Sequence, residues 1–312
     1  MIRPLLLVVA LMTSPLAQAE RFSFALFGDT PYSAQERAQL PAILDEIAAS
    51  GATFAVHVGD FKSSLEPCSD ELFADRLQLF AAARLPLIHV PGREQWLDCY
   101  RRASGAYSAT ERLTALRRKF FASAEALGHN GFKLERQSEI AFEHAAFVEH
   151  LRWRQGPVLF LSANVPGGDN NWGDSRQGST EYRVRMAAVR DWLERGFALA
   201  TEQKLRAIAL FVHADPDFEA YAASQPQEAF AELFTSLRAG LATFPGEVLF
   251  VHGDTHVMRI DHPLLDDQAA PIERFHRIET FGSPLMGWIR VEVDTAGEPL
   301  FHIHPKPLDG AP

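Results

Sequence analysis

The sequence predicts an α/β fold built on a largely parallel or mixed sheet. Six short, almost continuous apolar runs end abruptly in polar residues, as strands buried on both faces do. Amphipathic, Ala/Leu-rich helical patterns lie between most of them, and strands alternating with helices favour parallel pairing. The C-terminal segment changes to an alternating apolar/polar pattern, which marks antiparallel strands.

Residues 1–19 read as an export leader. Arg3 precedes the apolar run "PLLLVVALM", and "AQA" then offers a small-x-small cleavage pattern at Ala17 and Ala19. That run is about half the roughly 20 residues a bilayer span needs, and no later stretch is longer, so no membrane span is expected. The mature chain is expected to start near Glu20 and to be periplasmic or secreted. Residues 20–312 then read as one large domain.

The apolar runs lie at 22–32 ("FSFALFGDTPY"), 54–64 ("FAVHVGDFKSS"), 86–96 ("PLIHVPGREQW"), 157–171 ("PVLFLSANVPGGDNN"), 208–218 ("IALFVHADPDF") and 249–261 ("LFVHGDTHVMRID"). Helical patterns occupy positions near 34–50, 70–84, 110–126, 181–198 and 226–243. "FHRIETF", "WIRVEVD" and "PLFHIHP" follow, joined by the turn-like "GSPLMG" and "TAGEP", and predict antiparallel strands that complete or add a sheet.

Hydrophobic residues make up 47% of the chain with no low-complexity run, enough for a sizeable core. The formal charge is −10, and it becomes −11 when Arg3 leaves with the leader. Such a balance disfavours a nonspecific grip on nucleic acid or anionic membrane. A small anionic ligand would need local cations, from arginine or metal. Cys68 and Cys99 form an even pair in a chain read as exported, which predicts a disulfide.

In such sheets ligands bind beyond the carboxyl ends of the strands. Asp29, Asp60, Arg93, Glu94, His213, Asp254 and His256 all fall there. Carboxylates and imidazoles gathered at strand ends suit divalent metal, because neither group is dehydrated cheaply otherwise. Two ions bridged by one carboxylate would clamp a phosphate and activate water.

In order, the motifs run strand-GD, strand-GD, strand-G-polar, strand-His and strand-G-x-Thr-His. That order, carried by "FGDTPY", "VHVGDFKSS", "VPGREQWLDC", "NVPGGDNNW", "FVHAD", "VHGDTH" and "ETFGSP", resembles the calcineurin-like metallophosphoesterases, and within them an exported bacterial branch whose first motif reads GDTPY. The resemblance covers nearly the whole chain after residue 19. It implies a metallophosphoesterase-like α/β sandwich of mixed sheets flanked by helices. It also implies a metal-dependent phosphomonoesterase or phosphodiesterase acting on a small phosphorylated substrate.

The resemblance makes Asp60 the carboxylate bridging two metals, Asp29 and His256 ligands of the first, and His213 a ligand of the second. Asp254 stands where the family has a histidine and can still ligate. One or two divalent ions are implied, with zinc, manganese, iron and calcium all open. Three departures bear on activity. Pro31 replaces the first-motif histidine, so the first metal loses a ligand unless Tyr32 or water takes over. Arg93 and Glu94 replace an asparagine ligand and a catalytic histidine, unless a one-residue shift places Glu94 opposite the asparagine and makes Gln95 the odd position. Arg93 cannot ligate a metal, but it can fill the second metal's volume or grip phosphate bidentately. Glu94 can act as general acid or as a carboxylate ligand. The two can equally form a plain surface ion pair.

Asn170 and Asn171, in the polar loop "PGGDNNWGD", offer amide donors to a phosphate, although the loop also suits a plain surface Ω-loop. Trp96 and Trp172 can line the cleft or staple loops. His57, His89, His302 and His304 read as structural, and His252 as a strand-end residue or one that supports a ligand. Two functions follow: a hydrolase, or a degenerate member of the fold that binds a phosphorylated ligand or partner without cleaving it. Paired carboxylates such as Asp215 and Asp217 would suit a carbohydrate or peptide hydrolase, which explains none of the ordered motifs.

Overall fold

A computed structural model describes residues 21–308 of the chain, so the expected leader at residues 1–19 lies outside the described residues. In chain order the strands are β1 (Arg21–Phe27), β2 (Ala55–His57), β3 (Pro86–His89), β4 (Leu127–Gly128), β5 (Glu135–Arg136), β6 (Leu151–Gln155) and β7 (Val158–Ser162). There follow β8 (Ala207–Phe211), β9 (Glu247–His252), β10 (Arg259–Asp261), β11 (Phe275–Glu279), β12 (Gly287–Asp294) and β13 (Phe301–Pro307). The α-helices are α1 (Ala34–Ala49), α2 (Asp70–Ala81), α3 (Ala109–Phe120), α4 (Gln137–Ile140), α5 (Thr180–Glu202), α6 (Phe218–Ala222) and α7 (Ala231–Thr243). None is long and apolar enough to cross a membrane.

The strands form two mixed sheets, ordered β13-β12-β1-β2-β3-β4 and β10-β11-β9-β8-β7-β6-β5. The predicted runs supply their parallel centres, β1-β2-β3 and β7-β8-β9. Helices α1, α2, α3 and α5 start on Ser33, Ser69, Ser108 and Ser179, whose side chains accept from backbone N–H groups in the first turn. Each such cap contributes about 1 kcal/mol.

One expectation is corrected at the C-terminus. β12 and β13 are antiparallel and complete the first sheet beside β1, but β11 joins the second sheet parallel to β9. The antiparallel β10–β11 pairing is the reason, because it returns the chain to β9 in the same direction as β9 itself.

Two apolar layers hold the sandwich. Between the sheets, Phe24, Phe54, Trp153, Phe160 and Phe211 stack at ring-centroid distances of 5.1–6.3 Å. Outside the second sheet, α5 and α7 bury Trp192, Leu193, Leu233 and Leu237 against Leu210, Val248 and Phe250. Truncating one such aromatic costs about 3–5 kcal/mol. These layers fix the parallel strands rigidly, so their carboxyl ends form a stable platform.

Candidate metal centre

The polar residues at that platform come together as the motif order requires. Asp29 follows β1, Asp60 follows β2, Arg93 and Glu94 follow β3, His213 follows β8, and Asp254 and His256 follow β9. Asp29, Asp60 and His213 are buried, and a ligating atom from each lies within 4.8 Å of the others. His213 Nε2 is 3.1 Å from Asp60 Oδ2 and 3.7 Å from Asp254 Oδ1. His256 Nε2 is 3.5 Å from Asp29 Oδ1.

Local backbone geometry explains how short loops aim so many polar groups inward. Asp29, Asp60, Asp254 and His256 all have positive φ, at 50°, 52°, 79° and 64°. Non-glycine residues held there cost on the order of 1–3 kcal/mol each, and such strain gathers at functional sites. Backbone bonds set the loops: Asp254 N–H donates to Asp29 Oδ2 at 3.1 Å, and Glu94 N–H donates to Asp60 Oδ1 at 2.8 Å. Two imidazoles are oriented through their other nitrogens, His213 Nδ1 at 2.9 Å from Val58 O and His256 Nδ1 at 2.7 Å from Ser283 O. A backbone carbonyl of this kind fixes tautomer and ring direction, leaving Nε2 for the site.

The donor set fits a divalent cation. His213 Nε2 is buried and close to two carboxylates, those of Asp60 and Asp254. Burial alone would push this imidazole down, but Asp60 beside it outweighs burial and holds its pKa up at about 10. That is the signature of a carboxylate cage seeking a positive charge, which a proton or a metal can supply.

Tyr32 lies where the replaced histidine would have been useful. Its hydroxyl is 3.3 Å from Asp29 Oδ1 and 3.5 Å from Asp60 Oδ2, and burial together with Asp60 pushes its pKa well above the ordinary value. Glu36 holds the loop, accepting the Tyr32 N–H at 2.6 Å and the Ser283 hydroxyl at 2.6 Å.

Arg93 and Glu94 are not a plain surface pair. The Glu94 side chain is buried, with Arg93 Nη2 3.6 Å, Arg101 Nη1 3.8 Å and Lys62 Nζ 3.7 Å from its carboxylate. Burial, then Asp60, pushes Glu94 up to about 7. Arg93 Nε also lies 3.2 Å from Asp98 Oδ2. Cys68 and Cys99 are joined, as expected, and the bridge packs beneath Glu94, with Cys68 Sγ 3.4 Å from its carbonyl.

The expected phosphate-facing amides differ. Asn170 is fully buried, giving its amide to Ala229 O at 2.8 Å and accepting from Arg185 at 2.7 Å; Asn171 donates to Glu181 at 2.7 Å. Both tie their loop to α5 because that buried helix supplies Arg185 and Glu181 as stronger charged partners. The same loop meets the site through glycines instead. A Cβ on Gly167 would overlap the Asp254 carboxylate, and one on Gly168 would lie 2.9 Å from Arg93 Nη1.

His57 and His89 are buried structural groups, 3.2 Å apart between Nδ1 atoms, with His57 Nε2 3.0 Å from Thr30 O. His252 is buried at the end of β9, and burial pushes it down to about 3, so it stays neutral. Trp96 is wholly buried, and Trp172 packs edge-on against Tyr182 at 4.9 Å. Sequence reasoning missed Lys62, Asp98 and Arg101. The disulfide was the usable signal for the last two, because joining Cys99 to Cys68 draws its neighbours under the loop after Asp60. Lys62 left no signal beyond its place in "GDFKSS".

No family model matches the chain, and no curated protein does. Solved structures do. A dimetal phosphatase from Danio rerio aligns at 12% identity and a TM-score of 0.50, over 86% of this chain and 92% of that one. A purple acid phosphatase from yellow lupin seeds aligns at 11% identity and a TM-score of 0.51, over 92% of this chain and 54% of that one.

The chain has the metallophosphoesterase fold.

GAP50, described as the anchor in the inner membrane complex of Plasmodium, aligns similarly at 12% identity and a TM-score of 0.50, over 94% and 90% of the two chains. In this metallophosphoesterase fold the buried Asp29, Asp60 and His213 sit at the sheet ends, flanked by Asp254 and His256.

Proposed function

We propose that the chain is an exported metal-dependent phosphoesterase that cleaves small phosphate mono- or diesters. The observation that carries this is the buried Asp29/Asp60/His213 group, whose ligating atoms converge within 4.8 Å. Asp29, Asp60 and His213 would hold a divalent ion, which would supply Lewis-acid stabilisation and an activated water. The chain's own residues do the rest. Arg93, one side open to solvent, binds a phosphate oxygen. Glu94, with a pKa near neutrality, delivers a proton to the leaving alcohol. Gly167 and Gly168 let the backbone approach Asp254 and Arg93 closely. The Cys68–Cys99 bridge supports export, since such bonds persist in oxidising compartments.

A second reading, a binder of phosphorylated ligands that does not hydrolyse them, draws on Pro31 and on Arg93 standing in the third motif. Release of 4-nitrophenol from mono- and bis-(4-nitrophenyl) phosphate separates the two. The proposal expects turnover that a chelator abolishes and added Mn2+ restores. Tight, metal-dependent binding of inorganic phosphate with no turnover would favour the binder.

A further inference from the structure

We infer that one of the two cations expected at such a centre belongs to the protein: the Arg93 guanidinium, backed by the buried ammonium of Lys62, occupies the Asp254 side, and the site takes one metal ion. This rests on the proposed metal-dependent reading and adds the number of ions to it.

Ligand supply points the same way. Among the described residues, the only group of His, Cys, Asp or Glu atoms close enough to hold an ion at these strand ends is Asp29, Asp60 and His213. Asp60 Oδ1, the oxygen on the side of the third loop, already accepts the Glu94 N–H at 2.8 Å. Asp60 Oδ2 faces His213 and Tyr32 instead. Residue 93, at the loop position from which the resemblance expects a ligating amide, carries a group with no lone pair to give.

Charge supply agrees. Lys62 is fully buried, and its ammonium donates to Glu94 O at 2.9 Å. Arg93 and Arg101 both reach Asp98 Oδ2 at 3.2 Å and both approach Glu94 Oε1. Three cations, from Lys62, Arg93 and Arg101, therefore stand among the Glu94, Asp98 and Asp60 carboxylates. Consecutive glycines bring the remaining partner in: the Asp254 carboxylate lies against Gly167 and the Arg93 guanidinium against Gly168. Although burial opposes it, Asp98 and then Asp254 and Asp60 hold the Arg93 guanidinium charged. A second divalent ion beside a fixed guanidinium meets charge repulsion. The arrangement is built to do without it.

The test is metal counting on the oxidised, full-length mature protein, loaded with Mn2+, dialysed and measured by plasma mass spectrometry alongside calorimetric titration. One equivalent is expected in the wild type and in Arg93→Lys, which keeps the cation. Arg93→Asn is expected to take two, because it removes the cation and restores an amide ligand. Two equivalents in the wild type would overturn the inference and leave the phosphoesterase reading standing. One equivalent in a folded Arg93→Asn protein, shown by an unchanged circular dichroism spectrum, would also overturn it. Zero in the wild type would overturn both.

Discussion

Replacing Gly59, the residue before Asp60, by alanine tests whether the strand-end backbone really dictates where His213 sits. Gly59 has φ of 108°, a conformation essentially reserved for glycine. A Cβ there would lie 2.5 Å from His213 Nδ1, 2.8 Å from its Cγ and 3.0 Å from Gly92 Cα, whereas ordinary contact begins at 3.4 Å. Neither neighbour can retreat freely. His213 Nδ1 is committed to Val58 O at 2.9 Å, and Gly92 N–H donates to Gln95 Oε1 at 2.6 Å. Backbone strain of about 1–2 kcal/mol and overpacking of about 1–3 kcal/mol give a total loss of about 2–5 kcal/mol. Urea unfolding of the metal-free protein, followed by tryptophan fluorescence, reads that loss. Calorimetry with Mn2+ reads the displaced imidazole as a roughly 10–100-fold weaker affinity. A stability loss below about 1 kcal/mol with unchanged affinity would show that His213 does not pack on Gly59, and the geometry of the centre would have to be redrawn.

Three further outcomes follow from the same geometry. Metal-free protein carries a proton on His213, whose pKa Asp60 holds up at about 10, so an ion must expel that proton; Mn2+ affinity should rise about tenfold per pH unit near neutrality, and a flat profile would contradict this. Glu94, buried beside Asp60, is the proposed proton donor; Glu94→Gln should slow hydrolysis of esters with poor leaving groups about 10²-fold, and an unchanged rate would contradict that role. The Cys68–Cys99 bridge spans a sequence separation of 31 residues; replacing both cysteines by alanine should lower unfolding free energy by about 3–4 kcal/mol, and an unchanged urea midpoint would refute that.

The gathering of these residues at strand ends was legible because buried strands stop where polar residues begin. β8 and β9 are buried on both faces, so their apolar runs stop where the chain leaves the sheet, and His213 and Asp254 stand at those stops. β6, "LRWRQ", was not legible as a strand, because Arg152 and Arg154 interrupt its apolar content. Only its antiparallel pairing with β7, and the packing of Trp153 on Phe160 and Phe211, reveal it. The direction of β11 was hidden for a different reason: alternation reports which faces are wet, not which neighbour a strand chooses. Asn170 and Asn171 misled because a free amide and an amide bound to a helix look alike in sequence. The partners, Arg185 and Glu181, lie ten or more positions away along the chain. Lys62 and Arg277, both fully buried, show the same limit: a charged residue reads as exposed until tertiary partners are known.

The central claim is that the strand-end carboxylates hold the metal that hydrolyses phosphate esters, and turnover by Asp60→Asn tests it most directly. Asp60 touches His213, Tyr32 and the Glu94 N–H at once, and asparagine keeps its shape while removing its charge. With Mn2+-loaded protein free of contaminating phosphatase, hydrolysis of 4-nitrophenyl phosphate should fall by at least about 10²-fold, with the unfolding midpoint little changed. Turnover equal to the wild type would contradict the account.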